Sequence, residues 1–233
     1  MLALVAAMDE EISGLRGSMN GVQANERDGF VVYNGMLSGK RVLLAKSGVG
    51  RQRVERACRS LLDRYPVTAI ISFGFAGALN PGLAVGDVVV CSSVLASPES
   101  SSPRCMCDAV LLSTAQARES RRAGCGIGVT APALVASTYQ KSALFTSSGA
   151  DIVDMESYWI GVMAADNCIP FISVRAISDS AHDNLPDLPS WKWRHVVSHF
   201  AFHPAQAASL YRGVAKARRS MSGFLSRMVE VAG

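Results

Sequence analysis

The chain has 233 residues, of which 49% are hydrophobic, 18% charged and 7% aromatic. This length suits one large α/β domain or two small ones with a sizeable buried core, and the composition excludes a disordered polyelectrolyte. The formal net charge of +4, from 23 basic and 19 acidic residues, is too small to indicate a nucleic-acid-binding protein.

Apolar runs along the chain are short. The longest, 67–78 and 169–177, have the length of strands and contain polar residues, whereas a membrane-spanning helix needs about 20 apolar residues. The first eight residues carry no basic segment and are followed at once by three acids, which is not the pattern of a secretory signal. We therefore expect a cytoplasmic protein. Its six cysteines lack zinc-ribbon spacing and are expected to be reduced thiols.

Strand patterns alternate with helical patterns in chain order. Strands are predicted at 2–7, 31–34, 41–45, 68–73, 87–91 and 171–177, and helices at 54–63, 160–166 and 204–231. Apolar strands between helices are typical of a three-layer α/β/α fold whose central sheet is covered on both faces. The Ser- and Pro-rich stretch 92–104 is predicted to be a surface excursion within a single domain, residues 1–233.

The predicted last helix, at about 204–231, is amphipathic and basic. Apolar residues recur at intervals of three and four, and they are Leu210, Val214, Ala217, Met221, Phe224, Leu225 and Met228. The basic residues that lie off this stripe are Arg212, Lys216, Arg219 and Arg227. The pattern predicts that the apolar stripe packs on the core and the basic face is solvated. The alternative is contact with a membrane surface or a partner.

Polar or glycine-rich segments follow several predicted strands, where open α/β sheets bind their ligands. They are Ala-Met-Asp-Glu-Glu at 7–11, Ser-Gly-Val-Gly-Arg at 47–51, Gly-Phe-Ala-Gly-Ala at 74–78, Asp-Met-Glu at 154–156 and Arg-Ala-Ile-Ser-Asp at 175–179. Each has a structural alternative: acids favour the first turn of a helix, close glycines make tight turns, and Asp179 can cap a helix. Three carboxylate positions at one sheet edge favour a binding site. None of the glycine segments fits a dinucleotide or P-loop motif.

Three histidines, His195, His199 and His203, are spaced by four and would share one face of a helix, where they could bind zinc. No carboxylate accompanies them, and Pro204 ends or redirects the helix directly after the third. We therefore expect a solvated or packing face and no metal site.

Taken in order over residues 2–181, these segments resemble the nucleoside phosphorylase and nucleosidase superfamily, with Asp-Met-Glu and Arg-Ala-Ile-Ser-Asp as the most specific parts. The start at 7–11 is similar to methylthioadenosine/S-adenosylhomocysteine nucleosidases, which hydrolyse their substrates. Residues 180–189 and 202–212 are more similar to the hopanoid-associated nucleosidase/phosphorylase, a branch linked to removal of adenine from adenosylhopane. The resemblance implies a mixed, twisted sheet, a homodimer, and no metal or organic cofactor.

The resemblance also implies roles for residues in an adenine-releasing hydrolase. Glu11 would activate water, and Asp179 would protonate the purine at N7. Glu156 would accept the ribose hydroxyls, Met155 would pack under the sugar, and Arg175 would help to fix water or ribose. The remaining substrate-binding positions that the resemblance implies are Val49, Ala76, Gly77, Leu134 and Val135.

The chain departs from the nucleosidase pattern at two of its positions. Phe75 stands where a serine is usual, and Leu134 replaces the aromatic residue under the base. Both changes enlarge or dry the surroundings of the pocket and weaken an assignment to methylthioadenosine alone. Phosphorolysis is an alternative, since Arg51 and Arg175 could meet phosphate, although Glu11 would repel it. A nucleoside-binding scaffold without catalysis is the alternative outside the enzymes.

Overall fold

The computed structural model describes residues 1–27, 29–97, 103–117, 123–185 and 204–231. The strands of these residues are β1 (Leu2–Ala6), β2 (Asn20–Arg27), β3 (Phe30–Leu37), β4 (Lys40–Lys46), β5 (Ala69–Ala78), β6 (Val88–Ala96), β7 (Cys105–Met106), β8 (Ala123–Thr130), β9 (Ile152–Asp154) and β10 (Phe171–Asp179). The helices are α1 (Asp9–Gly17), α2 (Arg51–Arg64), α3 (Ala109–Gln116), α4 (Thr138–Ser148), α5 (Ser157–Asp166) and α6 (Pro204–Val231).

All these strands belong to one mixed sheet built around β5. On one side β5 pairs with β1 in parallel, and β4, β3 and β2 follow outward. On the other side β5 pairs in parallel with β10 and, near its carboxyl end, in antiparallel with β9. Since β10–β6–β8–β9 is itself a continuous path, these four strands and β5 close into a ring. The structure confirms the predicted α/β fold with a mixed sheet.

Strand β1 shows why the sheet is covered on both faces. Its side chains alternate between two cores, as the period of two requires. Ala3 and Val5 pack in a cluster with α2 and α5, whereas Leu4 and Ala6 pack in a cluster with α1 and α6. Helices α2 and α5 therefore form one outer layer, and α1 and α6 form the other.

The observed end of strand β6 differs from the sequence prediction for residues 92–104. The strand runs to Ala96, five residues into the stretch 92–104 that was predicted to be a surface excursion. A bulge between Cys91 and Ser93 lets the serine-containing half of β6 stay paired with β8. The serines do not end the strand, because hydrogen bonds to β8 on both sides of the bulge satisfy the backbone N–H and C=O groups.

Helix α6 covers the sheet with its apolar side. Its fully buried side chains are Ala217, Met221, Phe224, Leu225, Met228 and Val229. The basic residues Arg212, Lys216, Arg219 and Arg227 are exposed. None of the described helices combines the length and apolar character that crossing a membrane requires. The candidate zinc ligands His195, His199 and His203 lie outside the described residues.

The fit of α6 on the sheet depends on a glycine. A Cβ at Gly213 would lie 2.5 Å from the carbonyl oxygen of Ser178, the residue before Asp179. The helix backbone therefore packs directly on the carboxyl end of β10. At Gly223, in the same helix, the nearest atom to a Cβ would be the end of the Arg227 side chain at 3.5 Å.

We expect Gly213→Ala to lower the free energy of unfolding by about 1–3 kcal/mol, because the overlap is with backbone that has to move. Gly223→Ala is the matched control, and it should raise the free energy of unfolding by up to about 1 kcal/mol through helix propensity. Urea denaturation of both variants measures the difference. Equal stability of the two would contradict the close approach of α6 to β10.

Candidate active site

The carboxyl ends of the parallel strands β1, β4, β5 and β10 come together at one edge of the sheet, and the short antiparallel strand β9 pairs with the end of β5 there. After β4, the N–H of Ser47 donates to the carbonyl of Ala6 at 2.9 Å, and the N–H of Gly48 donates to that of Ala7 at 3.1 Å. The last residue of β10, Asp179, stands opposite Gly77 of β5. This edge therefore holds the segments at 7–11, 47–51, 74–78, 154–156 and 175–179 that the sequence singled out.

Glu11 is a buried carboxylate held by backbone groups. It lies in the first turn of α1, and Oε2 accepts hydrogen bonds from the N–H groups of Ala7 and Met8, both at 2.9 Å. Oε1 accepts a bond from the N–H of Phe75 in β5 at 2.8 Å. A Cβ at Gly74 would overlap Oε1, so a glycine is needed there to admit the carboxylate. Burial raises the pKa of Glu11, and these bonds and the charge of Arg175 only partly oppose it.

Glu156 lies at this edge of the sheet, directly before the first residue of α5. Its Oε1 accepts a hydrogen bond from the N–H of Gly50 at 2.9 Å. Gly48 and Gly50 have positive φ angles of 81° and 94°, which explains the two glycines of the 47–51 segment. Burial raises the pKa of Glu156 to about 8, and the charges of Asp154 and Glu11 add to that effect.

Arg175 is the buried cation behind these acids, with 2% of its surface exposed. Its Nε donates to Oδ2 of Asp154 at 2.7 Å, and Nη2 donates to the hydroxyl of Ser72 at 2.7 Å. Asp154 also accepts bonds from the hydroxyls of Thr130 and Ser157. Burial acts to lower the pKa of Arg175, but the charges of Asp154, Glu11 and Glu156 outweigh it and raise the pKa above its ordinary value.

Asp179 is 5% exposed at the end of β10. Its Oδ1 accepts a bond from the Ser178 hydroxyl at 2.7 Å, and Oδ2 accepts one from the ammonium group of Lys141 at 2.6 Å. Sequence reasoning missed Lys141. A lysine four residues after a capping serine in an ordinary helical pattern is normally solvated, so no local signal marks it.

The other predicted site residues differ in how far they are buried. Val49, Gly77, Leu134, Val135 and Met155 are partly buried, and Ala76 is buried. A Cβ at Gly77 would lie 3.0 Å from Oδ2 of Asp179, so this glycine gives the carboxylate room. The segment that contains Leu134 and Val135 continues into Ala136, whose carbonyl accepts a bond from the N–H of Leu185 at 2.9 Å. It therefore lies beside the chain that follows Asp179.

A cleft of about 620 Å³ opens next to the Glu11 turn. Its walls come from the segments after β1 and β4, from the turn between β2 and β3, and from α2: Ala7, Met8, Asp9, Glu10, Gly29, Phe30, Lys46, Ser47, Gly48, Val49, Arg53, Arg56 and Ala57. Val49 of this wall precedes Gly50, the residue that binds Glu156. The cleft and the acids therefore adjoin.

Comparison with known proteins shows the family of the chain. Residues 1–202 match the family model described as Phosphorylase superfamily. The chain belongs to this superfamily. The 5′-methylthioadenosine/S-adenosylhomocysteine nucleosidase of Listeria monocytogenes serotype 4b (strain CLIP80459) is 32% identical over 203 residues, which cover 78% of this chain and 87% of that protein.

Solved structures of the superfamily share the fold along nearly the whole chain. The 5′-methylthioadenosine/S-adenosylhomocysteine nucleosidase of Neisseria meningitidis, in complex with methylthio-immucillin-A, has a TM-score of 0.83 and 24% identity, with 99% of both chains covered. Futalosine hydrolase of Helicobacter pylori strain 26695 has a TM-score of 0.80 and 20% identity, with 99% of this chain and 97% of that chain covered.

The pKa of Glu156 predicts how stability depends on pH. The folded protein holds a proton on Glu156 up to about pH 8, whereas the ordinary pKa is 4.5, so between these values the unfolded chain binds fewer protons and stability falls as the pH rises. Glu156→Gln removes this loss, at about 1.4 kcal/mol for each pKa unit. We expect its free energy of unfolding to increase relative to the wild type, by a few kcal/mol, from about pH 5 to about pH 9.

Urea denaturation at several pH values measures this difference. The matched control is Glu230→Gln, which changes an exposed glutamate on α6 and should follow the wild type at every pH. A difference between Glu156→Gln and wild type that stays constant with pH would contradict the raised pKa.

Proposed function

We propose that this protein is a nucleosidase that hydrolyses the N-glycosidic bond of an adenosine-type nucleoside and releases adenine. The observation that carries the proposal is that Glu11, in α1, and Asp179, at the end of β10, both lie against strand β5. Glu11 binds the N–H of Phe75, and Asp179 stands opposite Gly77. These two positions of β5 are about 7 Å apart along the strand, and we propose that a ribose and its bond to the purine lie between the two carboxyl groups.

The chemistry requires two such groups. Breaking a ribose–purine bond develops positive charge on the sugar and negative charge on the base, so the site must protonate the base and supply a nucleophile. Asp179 gives its proton to N7 of the purine as the C1′–N9 bond breaks. Glu11 takes a proton from the water whose oxygen bonds to C1′. Burial raises the pKa of Glu11 and so makes it a stronger base than an exposed glutamate.

Three further residues support this chemistry. Glu156 hydrogen-bonds the ribose hydroxyls, and Met155 packs under the sugar. The sequence predicts that Arg175 fixes water or ribose, and in the structure its guanidinium donates hydrogen bonds to Asp154, Ser72 and the carbonyl of Val174. We assign it the role of a buried cation that is paired with Asp154 and lies near the carboxyl groups of Glu11 and Glu156.

The walls of the site complete the proposal. Val49, Ala76 and Gly77 bound the sugar side, and backbone groups near Leu134 and Val135 meet the adenine edge. Hydrolysis is favoured over phosphorolysis, because the two arginines that the sequence analysis named as able to meet phosphate, Arg51 and Arg175, already have partners. Arg51 binds Glu55 at 2.8 Å and lies 3.7 Å from the centre of the Trp159 ring, and Arg175 binds Asp154.

The 5′ substituent of the substrate enters the cleft beside Val49, which adjoins the residue that binds Glu156. The likeness of residues 180–189 and 202–212 to the hopanoid-associated branch supports an adenosylhopane-like tail. Any contact with a membrane would use the exposed basic face of α6, since the apolar face is buried. We further propose that the enzyme is a cytoplasmic homodimer.

Adenine release tests the function directly. The protein is incubated with methylthioadenosine, S-adenosylhomocysteine, 5′-deoxyadenosine and an adenosylhopane analogue, with and without phosphate, and free adenine is measured. We expect release from at least one nucleoside at a rate that phosphate does not change. Asp179→Asn and Glu11→Gln should each lower kcat by about 100-fold or more, because each removes an acid–base group.

Matched controls are Asp166→Asn, at the exposed end of α5, and Glu230→Gln, and both should keep wild-type turnover. A rate that depends on phosphate would replace hydrolysis by phosphorolysis. Binding of these nucleosides without any adenine release would favour the non-catalytic scaffold.

A further inference from the structure

Lys141 carries a charge that has no exposure to solvent. Its side chain is 0% exposed, and its ammonium group donates to Oδ2 of Asp179 at 2.6 Å, to the carbonyl of Ser180 at 2.7 Å and to the carbonyl of Asp183 at 3.0 Å. An ammonium group has three hydrogens, so all of them are used. Burying such a charge costs several kcal/mol unless a partner compensates.

The surrounding structure fixes both ends of this contact. Ser137 caps α4 and Gln140 binds back to it, which sets the position of the next residue, Lys141. The turn after Asp179 is closed by the carboxylate of Asp183, which accepts bonds from the N–H and the hydroxyl of Ser180 at 2.7 and 2.8 Å. These bonds lower the pKa of Asp183 against the effect of burial. The closed turn presents its carbonyls to Lys141.

Stability alone is a weak reason for this arrangement. Replacing a buried ion pair by apolar side chains of similar volume is often neutral or stabilising. Lys141 and Asp179 remain buried together, and Asp179 is the residue proposed to protonate the purine. Their pairing therefore points to a role in the reaction.

We propose that Lys141 is a positioning residue for Asp179: it holds the carboxyl in one orientation and stabilises the carboxylate that forms when Asp179 gives its proton to the departing purine. The inference rests on the function proposed above. In that step the O–H bond of Asp179 and the C1′–N9 bond break, an N7–H bond forms, and the electron pair of the glycosidic bond goes to the purine. Lys141 keeps its three hydrogens throughout.

The effect on rate follows from the change in charge. The step turns the carboxyl of Asp179 into a carboxylate while the ammonium group of Lys141 stays within hydrogen-bond distance of it. The interaction is therefore stronger in the transition state than in the ground state, which is the condition for acceleration. A leaving group that departs without a proton gains nothing from it.

Two substrates separate this role from a structural one. Adenine release from the best nucleoside needs a proton on the leaving group, whereas 4-nitrophenyl riboside releases a stable anion. We expect Lys141→Met to lower kcat for adenine release by about 10- to 100-fold, with little change in KM, and to leave hydrolysis of 4-nitrophenyl riboside nearly unchanged. Lys216→Met, on the exposed face of α6, is the control and should match the wild type on both.

A double variant tests whether Lys141 acts through Asp179. Lys141→Met combined with Asp179→Asn should be no slower in adenine release than Asp179→Asn alone, because the group that Lys141 serves is already gone. The double variant also leaves no buried unpaired charge. If Lys141→Met alone does not fold, Lys141→Arg, which keeps the charge, replaces it. We expect Lys141→Arg to lower kcat for adenine release by less than about 10-fold and to leave hydrolysis of 4-nitrophenyl riboside unchanged.

Equal losses on both substrates, unchanged adenine release, or multiplying losses in the double variant would each overturn the role of Lys141. Failure of the proposed function is a separate outcome, since it is seen in the wild type, which would then release adenine from no nucleoside.

Discussion

A carboxylate buried at the carboxyl ends of the parallel strands is the constraint on which the rest of the structure depends. Glu11 has 5% exposure, and the turn after β1 and strand β5 supply the backbone N–H groups that satisfy its oxygens. These segments are far apart in sequence, so the carboxylate is stable only if β1 and β5 pair in the observed register. The same register places Gly74 where a side chain would collide with it.

The acidic residues of the site lie near two buried cations, Arg175 and Lys141. Arg175 lies among Glu11, Asp154 and Glu156, and one positive charge cannot compensate three carboxylates, which agrees with a pKa of about 8 for Glu156. Lys141 is paired with Asp179 instead. The site thus has one side where several buried carboxyl groups surround a single arginine, suited to a sugar that becomes positive, and one side where a cation faces the leaving base.

Sequence reasoning could predict the layers of the fold and the segments of the site, because apolar periodicity reports burial and the loops after parallel strands meet at one edge. It could not predict the ring that closes through β8 and β9, since β8 is Gly-rich and β9 has only three residues. It also could not find Lys141, whose burial depends on a turn at 180–183 that is distant in sequence, nor the bonds that occupy Arg175.

The geometry between the two acids is tested most directly by a crystal structure of the protein with an adenosine analogue whose C1′–N9 bond is replaced by a carbon–carbon bond. The account predicts N7 of the base within hydrogen-bond distance, about 3 Å, of the Asp179 carboxyl. It also predicts that the anomeric carbon faces Glu11 across one ordered water. A base bound away from position 179, or carboxyl groups that open into separate cavities without a nucleoside between them, would contradict it.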